Sequence, residues 1–167
     1  MKRLVSVTMF TACLPAVAQG VSAEDCSGWN NSHLRGTYTM TGSGYKDLAK
    51  LIAGNPANLP SGMTPMSWVG AYSIDGAGGV SGWVTVNAGG LQLTAQFSGS
   101  YAVKADCSVT INYTMKAKEI PRITLGPYTR LAVIGGKMDA LELNGILLGE
   151  GPATELDTFN SRRISME

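Results

Sequence analysis

From Gly36 to the end of the chain, hydrophobic and polar positions alternate with a period close to two, broken by glycine-rich turns. That pattern predicts β-strands with one face buried and the other in water. Residues 37–41 are rich in β-branched and aromatic side chains and read as the first strand. Residues 66–74 give a second, with Trp68, Tyr72 and Ile74 on one face, and residues 80–87 return as a third that carries Trp83. Between them, Asp75-Gly76-Ala77-Gly78-Gly79 is a strong hairpin signal, because glycine reaches the positive φ values that tight turns require. Next, Leu91, Leu93, Ala95 and Phe97 alternate with Gln92, Thr94, Gln96 and Ser98, and the ribbon continues past a bend at Gly99-Ser100 into residues 101–103. Val109, Ile111, Tyr113 and Met115 alternate with Thr110, Asn112, Thr114 and Lys116 in the clearest strand of all. Further strands are expected over 122–126, 128–134, 137–148 and 154–163.

One stretch departs from this period. Leu48, Leu51 and Ile52 stand at helical spacing within residues 47–53, and Gly54 with Asn55-Pro56 can end the turn. The insert over residues 45–65 therefore carries a short amphipathic helix, readable as a plug closing one barrel end or as a lid over a binding mouth. Strands at intervals of about ten residues suit a sandwich or a barrel. Closure favours the barrel, since it removes the exposed edges that a small open sheet would present. The expected fold is all-β: a single-domain antiparallel β-barrel of about eight strands with one short inserted helix. Its outward positions are Thr, Asn, Gln and Ser, which suit water better than lipid.

The N-terminus has its own character. Met1-Lys2-Arg3 precede an apolar run from Leu4 to Val17, and the small-residue sites Ala16-Val17-Ala18 and Val21-Ser22-Ala23 follow. This is the layout of an export signal. Cleavage after Ala23 assigns residues 1–23 to the signal peptide and residues 24–167 to the barrel domain, secreted or periplasmic. It removes Lys2 and Arg3 from the 13 basic residues, leaving 11 against 12 acidic ones, a net charge of about −1. Cys13 leaves as well. In an exported chain the remaining Cys26 and Cys107 most simply form one disulfide, with two free thiols as the alternative. Closing a loop of about 80 residues stabilises by roughly 4 kcal/mol in the chain-entropy picture.

Three segments carry a resemblance: Leu34-Arg35-Gly36-Thr37-Tyr38, then residues 75–82 with their glycine hairpin, then residues 97–107, where Gly99-Ser100-Tyr101-Ala102-Val103 leads into Asp106-Cys107. Together, over residues 26–116, they resemble a group of small exported bacterial proteins. The resemblance implies a calycin-like or allene-oxide-cyclase-like antiparallel barrel and no particular activity. The insert from Tyr45 to Pro65 and the charged pair Arg162-Arg163 are less typical of that group.

Composition narrows the chemistry. A near-neutral balance lacks the basic footprint of a nucleic-acid binder, and no apolar run reaches the length of a membrane-spanning helix. One His and two Cys are too few ligands for a dedicated zinc site, and no cofactor is expected. The sole His33 lies ahead of the first strand, where a capping role is more natural than a catalytic one. Two charged residues are weak catalytic candidates. Glu142 points into the barrel if the face of Ala140 and Asn144 is internal, and is otherwise a surface charge. Arg130 shares a face with Tyr128, Ala132 and Ile134. Turned inward, it could pair with Glu142 or hold a ligand carboxylate. The strand aromatics Trp68, Tyr72, Trp83, Phe97, Tyr101 and Tyr113 either fill the core or line a pocket for one small apolar molecule. The first functional expectation is non-catalytic binding of a small hydrophobic or aromatic ligand. The second is a cyclase or isomerase that holds a flexible apolar substrate in a reactive shape. The third is a structural or adhesive surface module.

Overall fold

The computed structural model describes residues 26, 28–50, 61–135, 141–148 and 155–166. Eight strands run in antiparallel succession: β1 (Gly36–Asp47), β2 (Met63–Ile74), β3 (Gly79–Ala88), β4 (Leu91–Val103), β5 (Ser108–Ala117), β6 (Thr124–Gly135), β7 (Glu142–Leu148) and β8 (Glu155–Ser165). Each pairs with the next, and β8 returns to pair with β1, so the sheet closes on itself as an up-and-down barrel. No helix among the described residues is long and apolar enough to cross a membrane.

Alternation sets the two faces. In β5, Val109, Ile111 and Tyr113 are buried while Asn112 and Thr114 are exposed; in β6, Tyr128, Ala132 and Ile134 are buried while Leu131 and Val133 are exposed. The β2–β3 hairpin forms where the glycines predict it. The Asp75 carboxylate accepts from the N–H groups of Ala77, Gly78 and Gly79 at 2.7, 3.0 and 2.8 Å, while Gly76 and Gly78 take φ values of 80° and 115°. Those bonds hold the Asp75 carboxyl below the usual carboxylate range.

Two interior glycines give the barrel its filling. A Cβ on Gly42 would collide with the Trp68 ring, and one on Gly145 with the Phe159 ring. Each bulky ring therefore packs against bare backbone on a neighbouring strand, which keeps large side chains inside without swelling the wall.

One end of the barrel is capped. Residues 26 and 28–35 lie over it, stapled by the Cys26–Cys107 disulfide, with both cysteines and Leu34 fully buried. Tyr38 donates its hydroxyl proton to the Leu34 carbonyl at 2.7 Å, and Tyr101 donates to the Asn31 carbonyl at 2.8 Å. From the far end of the chain, Arg163 donates to the His33 and Arg35 carbonyls at 3.1 and 3.3 Å. His33 itself caps a short 3-10 turn, Asn31–Leu34. Its Nδ1 accepts from the Asn30 N–H at 3.1 Å, and its ring stacks on Trp29.

At the opposite end β1 runs on to Asp47 and gives way to a single 3-10 turn, Leu48–Lys50. Of the helix expected over 47–53, the described residues 47–50 show that turn, with Asp47 in the sheet, because Tyr45, Lys46 and Asp47 pair with Pro65, Thr64 and Met63. Residues 51–60, and with them the choice between lid and plug, lie outside the described residues, as does the expected signal peptide over 1–23.

Candidate functional site

The interior is organised around one ion pair. Arg130 of β6 points inward, and its two terminal nitrogens donate to both Asp157 oxygens of β8 at 2.9 and 2.8 Å. Asp157 is 1% exposed. The remaining edge of the guanidinium, Nε–H, donates to the Tyr113 hydroxyl at 2.7 Å. Aromatic faces surround the same cation, with the Phe159, Trp68 and Tyr113 ring centres 5.1, 5.2 and 5.9 Å away. A planar guanidinium suits this setting, since it bonds in its plane and stacks through its faces. A two-point pair also avoids the large cost of an isolated buried charge.

Aromatic rings run through the interior in a continuous chain. Tyr38 stacks on Tyr72 at 5.2 Å between centres; Tyr72, Phe97, Tyr113 and Tyr128 then follow at 6.2, 5.5 and 5.4 Å in tilted contacts. Such offset and tilted pairs suit the ring quadrupoles. At the Tyr128 end, the buried Lys46 Nζ sits 4.4 Å above the ring centre. Near the other end the Tyr72 hydroxyl lies 2.6 Å from Ser161 Oγ. Ser161 gives its own proton to the Thr39 carbonyl at 2.8 Å, so Tyr72 is the donor in that pair. Burial pushes the Tyr38 phenol up to about 12 and raises the Tyr72 phenol still further above its ordinary value.

Beside this chain is a cavity of about 100 Å³ in the half of the barrel away from the disulfide. Trp68, Tyr72, Phe97 and Tyr113 line it, together with Met40, Val84, Ala95 and Phe159, and Arg130 and Lys46 supply its polar edge. Lined this way, it can exclude water, hold an apolar group and present a hydrogen-bonding phenol and guanidinium at one side. No cluster of three or more His, Cys, Asp or Glu suited to a metal ion occurs among the described residues.

The remaining candidates lie elsewhere. Trp83 stands on the outer wall, 46% exposed. In β3 it is Val80, Gly82, Val84 and Val86 that face inward, so Trp83 shares its side with Ser81, Thr85 and Asn87. Tyr101 is inward, but its hydroxyl is bonded into the disulfide cap and it does not line the cavity. Glu142 is on the outer face: its neighbours Leu141 and Leu143 are fully buried, and its cross-strand partner is the exposed Arg162. The partner of Arg130 is accordingly Asp157 and not Glu142. Sequence reasoning also passed over Phe159 and Ser161. Their signal was present in the β8 alternation, where Asp157, Phe159, Ser161 and Arg163 are buried between exposed Thr158, Asn160 and Arg162.

Fold and interior together define an eight-stranded up-and-down antiparallel barrel with an aromatic interior and a buried Arg130–Asp157 ion pair. Comparison with known proteins returns no relative: no family model, no curated protein and no solved structure matches the chain.

Proposed function

We propose that this protein is an exported barrel of calycin-like character that binds one small hydrophobic or aromatic molecule without turning it over. The cavity of about 100 Å³, walled almost wholly by aromatic and aliphatic side chains, is the observation that carries this reading. It is smaller than the apolar cavity of roughly 150 Å³ that admits benzene, so a ligand of that size or larger requires the wall to yield. Met40, Met66 and Met115 on the lining are the side chains best able to do so, being unbranched and adaptable. The basic-then-apolar start of the chain and the Cys26–Cys107 bridge support the secreted or periplasmic setting.

A second reading, a cyclase or isomerase, draws on the Arg130–Asp157–Tyr113 set at the cavity edge. A fixed guanidinium and phenol there could polarise a carbonyl or ether oxygen of a folded substrate.

Native mass spectrometry of the mature protein, purified from its own host, tests the binding reading. The expected result is a mass excess from a small apolar molecule, absent in Ala95→Phe, whose ring would fill the cavity. Clean masses for both proteins, with no rise in Tm in toluene or 1-naphthol, would overturn it. Recovery of a chemically altered ligand after incubation would favour the enzyme instead.

A further inference from the structure

A second surface, on the outside of the barrel, has the chemistry of a binding site. Register places Trp83 of β3 opposite Gln96 of β4, and Gln96 opposite Lys116 of β5. One pleat along, Ser81 stands opposite Ser98, and Ser98 opposite Thr114. Two parallel rows thus cross the strands, an indole–amide–ammonium row and a hydroxyl row, and together they line a shallow groove of about 530 Å³. With strands about 4.8 Å apart, the first row spans roughly 10 Å from Trp83 to Lys116.

The side chains of the two rows are turned to the outside. Among the described residues, Ser81, Gln96, Ser98 and Thr114 make no side-chain hydrogen bond and Lys116 forms no ion pair. One exposed aromatic ring is too little apolar surface for a folded protein partner, whose interface needs a cluster of such anchors. One lysine is too little charge for a nucleic acid. A sugar matches both rows. The C–H face of a pyranose covers an indole, its hydroxyls exchange hydrogen bonds with amides and hydroxyls, and a single cation selects a carboxylate.

We propose that the groove binds an acidic oligosaccharide. One sugar ring stacks on Trp83, its hydroxyls bond Gln96, Ser81, Ser98 and Thr114, and the carboxylate of an adjoining uronate lies against Lys116. This site is separate from the interior cavity and does not depend on what the cavity holds.

The test is calorimetric titration of the mature protein with short oligomers of galacturonate, mannuronate and glucuronate, each compared with its neutral methyl ester. At least one acid oligomer is expected to bind saturably, with its ester at least about tenfold weaker. Trp83→Ala should weaken binding by at least about tenfold, as loss of an aromatic anchor does, while Trp83→Phe retains part of it. Lys116→Gln should remove the preference for acid over ester. Gln96→Ala, on the neighbouring strand, should weaken both ligands, so the assignment survives a Trp83→Ala protein that fails to fold. No saturable binding of any oligomer, or unchanged binding in both Trp83→Ala and Gln96→Ala, would overturn the site. Equal binding of acid and ester by the unmodified protein would overturn its acidic specificity.

Discussion

Asp157 grips Arg130 with both carboxylate oxygens, at 2.9 and 2.8 Å, among the aromatic rings of the barrel interior. The two residues sit on strands that are not neighbours, β6 and β8, so the pair bridges across β7 on the inner face of the wall. Removing one partner strands a buried charge. Asp157→Ala should therefore destabilise the fold by about 3–5 kcal/mol, whereas Arg130→Met with Asp157→Leu together should recover most of that loss. Urea unfolding of the two proteins measures the difference.

The disulfide fastens the cap to the barrel across a sequence separation of 81 residues. Replacing both Cys26 and Cys107 with serine should cost about 2–5 kcal/mol, on the order of 10 °C in Tm for a domain of this size. Calorimetric melting with and without reductant provides the check, and an unchanged Tm would mean the cap is held by Tyr101, Tyr38 and Arg163 alone.

Alkaline stability follows from the buried phenols. Tyr38 is pushed up to about 12 in the folded protein from an unfolded value of 10.0, and Tyr72 is raised further. Between those values the folded chain holds protons that the unfolded chain has lost, so the stability gained is complete below about pH 10 and declines as pH rises toward 12. Phenolate absorbance should show these two tyrosines ionising only as the fold is lost. Tyr72→Phe should narrow that alkaline loss of stability.

Gly42 is required by the ring above it. A Cβ there meets the Trp68 indole, so Gly42→Ala should cost about 1–3 kcal/mol through overpacking. The Thr158 carbonyl oxygen crowds the same Cβ, so adding Trp68→Leu should relieve only the ring's share of the collision, still giving a double mutant more stable than the sum of its parts predicts. A double-mutant cycle by chemical denaturation reads the coupling directly.

The strands and their faces were legible because each carries its own local period. Val109 to Met115 and Leu91 to Phe97 announce both strand and orientation without reference to anything distant. Trp83 shows the same rule left unused: its neighbours two away, Ser81 and Thr85, already mark an outer face, although grouping it with the other strand aromatics makes it core or pocket lining. The Arg130–Asp157 pair was not legible in the same way. Its members are 27 residues apart on strands with β7 between them, and no local pattern encodes which inward acid an inward arginine will meet. The β1 extension to Asp47 was missed for a related reason, since Leu48 belongs to a helical spacing and the pairing that keeps Lys46 and Asp47 in the sheet comes from β2.

Closure of β8 onto β1 also bears on how the chain reaches this state. Tyr38 pairs with Arg163 and Lys46 with Glu155, so the seam joins opposite ends of the sequence. The other seven strand pairings are all between neighbours and can form in order as hairpins. Until residues 155–165 are available, however, any growing sheet carries bare edges on β1 and on its newest strand, open to pairing with other molecules. A chain emerging from its N-terminus, whether from a ribosome or through a pore, therefore commits to the closed barrel only once β8 has appeared, in one late step.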